Sequence, residues 1–276
     1  MHAPADLKLL TQIGPRLQVM PADAHVAIRD PDGTVYAYGS EDGNGYRLHF
    51  PGVADFSFEP GGNEVVAHAP ASSGPVEDLF RTAVIPLVLQ VSGYEVLHAS
   101  AVRTDSGVAA FCGLSGSGKS TVAYALSRRG YPLWADDAVV FSAADDNEIN
   151  CFQIPFALHL REASRDYFEV PAPESIAVAN RRETSELIAV VTLERVGGST
   201  PRVERISIGA AMRALLPHGY RFTVDDEERS RRTVENYLDL AAGVPVFRAR
   251  YAPGFVQLPT LLDAIEGAVA NGTPRR

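Results

Sequence analysis

The apolar positions change period along this chain, and the change divides it. Between residues 24 and 69 short runs alternate apolar and polar side chains: HVAIRD, TVYAYG, GYRLHF, DFSFEP and EVVAHA. Turn-forming PDG, EDGNG, PG and PGGN separate them. Side chains two apart on a strand share a face, so this period predicts half-buried strands in a small antiparallel sheet. Residues 1–20, broken by Pro4 and Pro15, predict a strand or a loose lead-in. APASSGP, over 69–75, marks a boundary. VEDLFRTAVIPLVLQVSG, over 76–93, predicts a mostly buried helix with Ser73 as cap and a kink at Pro86.

From Tyr94 onward strand and helix patterns alternate, which predicts α/β architecture. YEVLHASAVR (94–103), GVAAFC (107–112), YPLWA (131–135), LIAVVTLERV (187–196) and VPVFRARY (244–251) read as strands. STVAYALSRRG (120–130), IGAAMRALLPHG (208–219), RRTVENYLDLAAG (231–243) and LPTLLDAIEGAVA (258–270) read as helices. The expected layout is a small β-rich domain over 1–75 and an α/β domain over 76–276.

One loop in the second part carries chemistry. Gly113-Leu114-Ser115-Gly116-Ser117-Gly118-Lys119-Ser120 satisfies G-x-x-x-x-G-K-[ST], and Thr121 follows. A buried strand precedes it and a helix follows, the context in which such a loop binds phosphates. Glycines let backbone N–H groups turn inward, and the helix N-terminus adds partial positive charge. Lys119 is then expected at the β- and γ-phosphates of ATP, and Ser120 on Mg²⁺.

Two neighbours follow from counting. A helix over 119–129 descends about 16 Å, and the strand 131–135 climbs back about the same distance. Its end, Asp136-Asp137, returns to the level of the loop, where a carboxylate meets the nucleotide's metal. Upstream, the turn TDSG (104–107) folds strand 94–103 back on strand 107–112. Residues 98 and 113 lie equally far from the middle of that turn, so His98 is expected beside the first glycine of the loop. A histidine and two carboxylates around the γ-phosphate suit transfer to an alcohol, with one carboxylate on the metal and the other as base. The same set suits attack by water. A second cation for the phosphate is sought among Arg161, Arg221, Arg248 and Arg250, with Arg221 in HGYRF preferred.

Composition narrows the partners. The 276 residues carry a formal net charge of −9, which gives no drive toward nucleic acid backbones. Arg229, Arg231 and Arg232 are flanked by acidic residues from Asp225 to Glu228 and read as a solvated helix face. VIPLVLQV is too short to span a bilayer. Cys112 and Cys151 lie in apolar contexts without metal-ligand spacing, as buried free thiols of a cytoplasmic protein would.

The stretch LHASAV…GVAAFCGLSGSGKSTVAYALSRRGYPLWADDAVVF, over roughly 94–141, resembles the catalytic core of the HPr kinase/phosphorylase family. The shared features are a histidine upstream of the loop, the Ser-Gly-x-Gly-Lys-Ser loop, RRGYPL and the ADD pair. The resemblance implies a P-loop kinase core related to phosphoenolpyruvate carboxykinases and transfer of phosphate from ATP to a protein serine. It implies nucleotide and metal contacts at Lys119 and Ser120, a catalytic cluster of His98, Asp136 and Asp137, and a homo-oligomer. It also implies that one aspartate is the general base; Asp136 is assigned that role and Asp137 the metal. After the pair, the chain reads CFQIPFALHLREAS, where HPr enzymes carry a glycine-rich signature. The layout is more similar to HPr-kinase-like proteins of peptide maturation, including lasso-peptide kinases, which phosphorylate the C-terminal serine of a precursor. The expected acceptor is thus a serine on a peptide or small protein, with a small-molecule kinase or a non-catalytic ATP-binding module as alternatives.

Overall fold

The computed structural model describes residues 7–14, 26–29, 35–42, 45–70, 76–143, 148–171, 176–177, 183–198, 200–220 and 227–272. It is a mixed α/β protein with two compact units. One unit runs through Tyr94 and includes Tyr220–Arg231; the other comprises Glu95–Gly219 and the chain from Arg232 onward.

The first unit holds a six-stranded sheet built from β1 (Lys8–Ile13), β2 (Val26–Arg29), β3 (Val35–Asp42), β4 (Gly45–Phe50), β5 (Ala54–Phe58) and β6 (Glu64–Ala69). The strands β2 to β6 pair in sequence order and antiparallel, as their alternation predicts. In β5 buried and half-buried positions alternate, with Phe56 and Phe58 on the buried face. β1 departs from the all-antiparallel expectation and lies parallel to β6, from Lys8 opposite Glu64 to Ile13 opposite Ala69. Alternation reports which face a residue takes and carries no strand direction. The helical stretch comprises α1 (Val76–Leu79), a π-helical turn (Phe80–Val84) and α2 (Ile85–Val91). Pro86 has no N–H and its ring crowds the preceding turn, and the expected kink takes the form of this wider turn. Ser73, its expected cap, lies outside the described residues.

The second unit is organised by β7 (Glu95–Leu97), β8 (Ala99–Thr104), β9 (Gly107–Cys112), α3 (Lys119–Ser127), β10 (Leu133–Ala135), β11 (Val139–Ala143) and β12 (Ile149–Phe152). The short β13 (Ala157–Leu158), α4 (Glu162–Phe168) and β14 (Ile176–Ala177) follow. Then come β15 (Thr184–Arg195), β16 (Arg202–Arg205), α5 (Ile208–Leu215), a 3₁₀ turn (Leu216–His218), α6 (Glu227–Gly243), β17 (Val246–Tyr251) and α7 (Leu258–Gly272). The main sheet runs β10-β8-β9-β15-β12-β11-β7, and β17 joins it through a parallel pairing with β15.

Every residue of β9 is buried, because helices cover both faces of the sheet. Val108, Ala110 and Cys112 join Leu215, Tyr237 and Leu240 of α5 and α6 on one face. Ala109 and Phe111 join Val122 and Leu126 of α3 and Leu261 and Ile265 of α7 on the other. Phe111 is fully enclosed, and its truncation to alanine would cost about 3–5 kcal/mol. β9, β15 and β17 run parallel, with Cys112 beside Thr192 and Arg195 beside Tyr251, so their carboxyl ends gather along one edge. Among the described residues no helix is long and apolar enough to cross a membrane.

Candidate functional site

The phosphate-binding loop leaves that edge after Cys112. Three of its glycines hold positive φ: Gly113 at 152°, Gly116 at 79° and Gly118 at 101°. A Cβ on Gly113 would meet the Ser117 Oγ at 2.7 Å and the Leu193 carbonyl oxygen at 2.8 Å, so only glycine lets the loop turn this tightly. α3 begins at Lys119, and no side chain caps its first N–H groups. The Ser117 hydroxyl is buried without a hydrogen-bond partner. An uncapped helix start and an orphaned hydroxyl in a glycine cradle fit an anion of several oxygens. Tyr251, from the end of β17, braces the loop by donating to the Ser117 carbonyl.

Lys119 is buried, and its Nζ donates to the Gly113 carbonyl at 3.1 Å. Burial pushes its pKa down, and the charge of Asp137 opposes that shift. Ser120 Oγ donates to Asp136 Oδ1 at 2.9 Å, Ser100 Oγ to the same oxygen at 2.6 Å, and the His159 backbone N–H to Oδ2 at 3.0 Å. Burial, and then the charge of Asp137, raises the Asp136 pKa; the three donors pull it back. The residue paired with Ser120 is therefore Asp136 rather than Asp137.

β8 and β9 pair from Thr104 opposite Gly107 to Ala99 opposite Cys112, the register obtained by counting from the turn, and His98 and Gly113 are the next residues beyond that last pair. The His98 N–H donates to the His218 carbonyl at 2.7 Å, and its ring nitrogen Nδ1 lies 3.1 Å from the Asp137 carbonyl oxygen. A carbonyl only accepts, so Nδ1 carries the proton and Nε2 an acceptor lone pair. Burial and the nearby Lys119 hold His98 below its ordinary pKa, against the opposing pull of Asp137. Asp137 itself adopts φ of 63°, a left-handed conformation that non-glycine residues rarely take. The Ala138 N–H closes a tight turn around it onto the Asp136 carbonyl at 2.8 Å. Strain of this kind concentrates at working sites.

Three further side chains arrive from distant parts of the chain. The Arg161 Nη2 donates to Ser115 Oγ at 3.0 Å, placing a guanidinium over the loop. His159 stands two residues before it, and the ligand atoms of Asp136, Asp137 and His159 all lie within 4.8 Å of one another. His218 lies near Lys119 and His98; burial, then those two charges, pushes its pKa down to about 4. The sequence reading named Arg161 among several arginines and missed both histidines, whose only signals were the words HLREAS and HGYRF. Arg248 and Arg250 instead pair with Glu194 at 2.9 and 3.2 Å. Arg221 lies outside the described residues. Cys112 and Cys151 are buried free thiols, and burial pushes the Cys112 pKa up to about 12.

No family model matches the chain, and no curated protein matches it. Among solved structures the chain is similar to the HPr(Ser) kinase/phosphatase from Coxiella burnetii, with 14% identity over 64% of this chain and 97% of that one, and a TM-score of 0.36.

Proposed function

We propose that this protein is a kinase that carries the γ-phosphate of ATP to a serine hydroxyl on a peptide or small protein. The observation that supports it most is the meeting of four groups at one helix end. Lys119 and Ser120 stand on the uncapped start of α3, Asp136 accepts from Ser120, and Asp137 is held beside His98. The loop N–H groups and Lys119 bind the triphosphate, with Ser115 and Ser117 completing the cradle, while the Thr121 hydroxyl, also expected there, pairs with Ser164 Oγ at 2.8 Å. A divalent cation, Mg²⁺ in the sequence expectation, supplies neutralising charge on the β- and γ-phosphate oxygens when bound. Ser120 and Asp136 would hold it.

The two aspartates then take roles opposite to those assigned from the sequence. The Asp136 oxygens already accept three hydrogen bonds, one of them from the Ser120 hydroxyl, which ties this carboxylate to the metal side of the loop although burial raises its pKa. Asp137, half-buried and held in its left-handed turn, serves as the general base. The acceptor oxygen bonds to the γ-phosphorus as the bond from that phosphorus to the β–γ bridging oxygen breaks. The hydroxyl proton passes to the Asp137 carboxylate, and ADP leaves. Neutral His98 fixes the Asp137 turn, and Arg161 offers a second positive charge to the phosphate oxygens.

The acceptor class follows the sequence resemblance over 94–141, and its finer form is the C-terminal serine of a lasso-type precursor. The test is incubation with γ-labelled ATP, a divalent cation, and free serine, HPr or peptides ending in serine. Label on the peptide is expected. Label confined to free serine or HPr would replace the acceptor. Phosphate released to water alone, or no label anywhere, would overturn the kinase reading.

A further inference from the structure

The carboxylates that close β10 do not stand alone at the phosphate loop. His159 follows β13, and its N–H holds Asp136 Oδ2 at 3.0 Å, which fixes residue 159 beside that carboxylate. Its ring nitrogen and the oxygens of Asp136 and Asp137 fall within 4.8 Å of one another, with Asp136 buried, Asp137 half-buried and His159 exposed. Ser120 Oγ joins the group through its 2.9 Å bond to Asp136. With Asp137 kept as the base beside it, the donor set on offer is the Asp136 carboxylate, the Ser120 hydroxyl and the His159 imidazole.

That set is unusual for a pure Mg²⁺ centre. Mg²⁺ takes oxygen ligands and gives up water reluctantly, so a carboxylate or two and the phosphates normally suffice. An imidazole nitrogen adds little for Mg²⁺ and adds affinity for first-row transition cations, in an order that rises from Mn²⁺ to a peak at Cu²⁺. We infer that His159 is a nitrogen ligand of the nucleotide's divalent cation, and that it shifts the preference of this centre from Mg²⁺ toward first-row transition cations. The inference rests on the proposed phosphate site, since phosphate oxygens complete the coordination. The exposed ring leaves one side open to them and to water.

The experiment uses the full chain, Mn²⁺ as probe and tripolyphosphate in place of ATP, so that no adenine nitrogen is present. Electron spin-echo spectroscopy of bound Mn²⁺ is expected to show ¹⁴N modulation from one imidazole. Titration is expected to give Mn²⁺ at least about tenfold tighter than Mg²⁺. His159→Gln, an exposed change whose fold is checked by circular dichroism, is expected to abolish the modulation and erase most of that ratio. Absence of ¹⁴N modulation, its persistence in His159→Gln, or an unchanged Mn²⁺ to Mg²⁺ ratio would each overturn the assignment. These readouts do not depend on turnover. Label transfer can fail while the nitrogen signal stands, which would remove the kinase reading and keep the ligand; the reverse result would do the opposite.

Discussion

Two histidine–aspartate pairs in this molecule use the same residue types for different ends. His49 on β4 faces Asp55 on β5 directly across the sheet, and ring nitrogen meets carboxylate oxygen at 2.6 Å. His49 is 2% exposed. Nδ1 and the carboxylate satisfy each other there, Nε2 stays buried without a partner, and the pair acts as a cross-strand strut. His98 instead leans on the backbone carbonyl of Asp137. Its proton goes to the main chain, and the contact holds a strained turn rather than tying up a carboxylate oxygen. What a buried histidine does depends on which atom of its neighbour it meets, and residue identity alone does not report that.

The largest separation between the pairs should come from Asp137→Asn. Asparagine tolerates left-handed backbone, so the turn survives. Label transfer should fall about 10²- to 10⁴-fold, the usual weight of a general base, with nucleotide affinity within about threefold. Asp136→Asn should instead weaken divalent-dependent nucleotide binding in titration. If Asp136→Asn lost only transfer and Asp137→Asn lost only binding, the roles would return to the sequence assignment.

A smaller effect, on stability, is expected from Asp55→Ala, which strands a buried ring nitrogen. Denaturant unfolding should lose about 2–3 kcal/mol, with the transfer rate per folded molecule unchanged. A change in that rate would mean that the strut reaches the chemistry.

Smallest is the pH signature of His218. Its folded pKa of about 4 lies below the ordinary 6.5, so between those values the unfolded chain holds more protons. Neutral His218 therefore supports the fold fully above pH 6.5, and that support is lost as pH falls toward 4. Discounted for partial exposure, the change is about 1–2 kcal/mol across the window. His218→Gln should flatten the pH dependence of the unfolding midpoint there; an unaltered slope would refute the assignment.

The sequence by itself determined what local chemistry and short counts can reach. The alternation in β2 to β6, the strand–loop–helix around Gly113 to Ser120, and the β8–β9 register up to Ala99 opposite Cys112 all follow from periods, turns and a two-residue hairpin. Asp136 and Asp137 were legible because a helix and a strand of known rise return the chain to its starting level. Only the tertiary structure decided that β1 runs parallel to β6, since side-chain period is blind to strand direction. It alone brought His159, Arg161 and His218 to the loop across separations that no spacing rule spans. It also gave Ser120 to Asp136, a pairing that counting along the chain does not separate from one with Asp137, since both carboxylates reach the same place. Residue types and short-range geometry were readable in one dimension; the directions of side chains converging from separate elements became readable only once the sheet was folded.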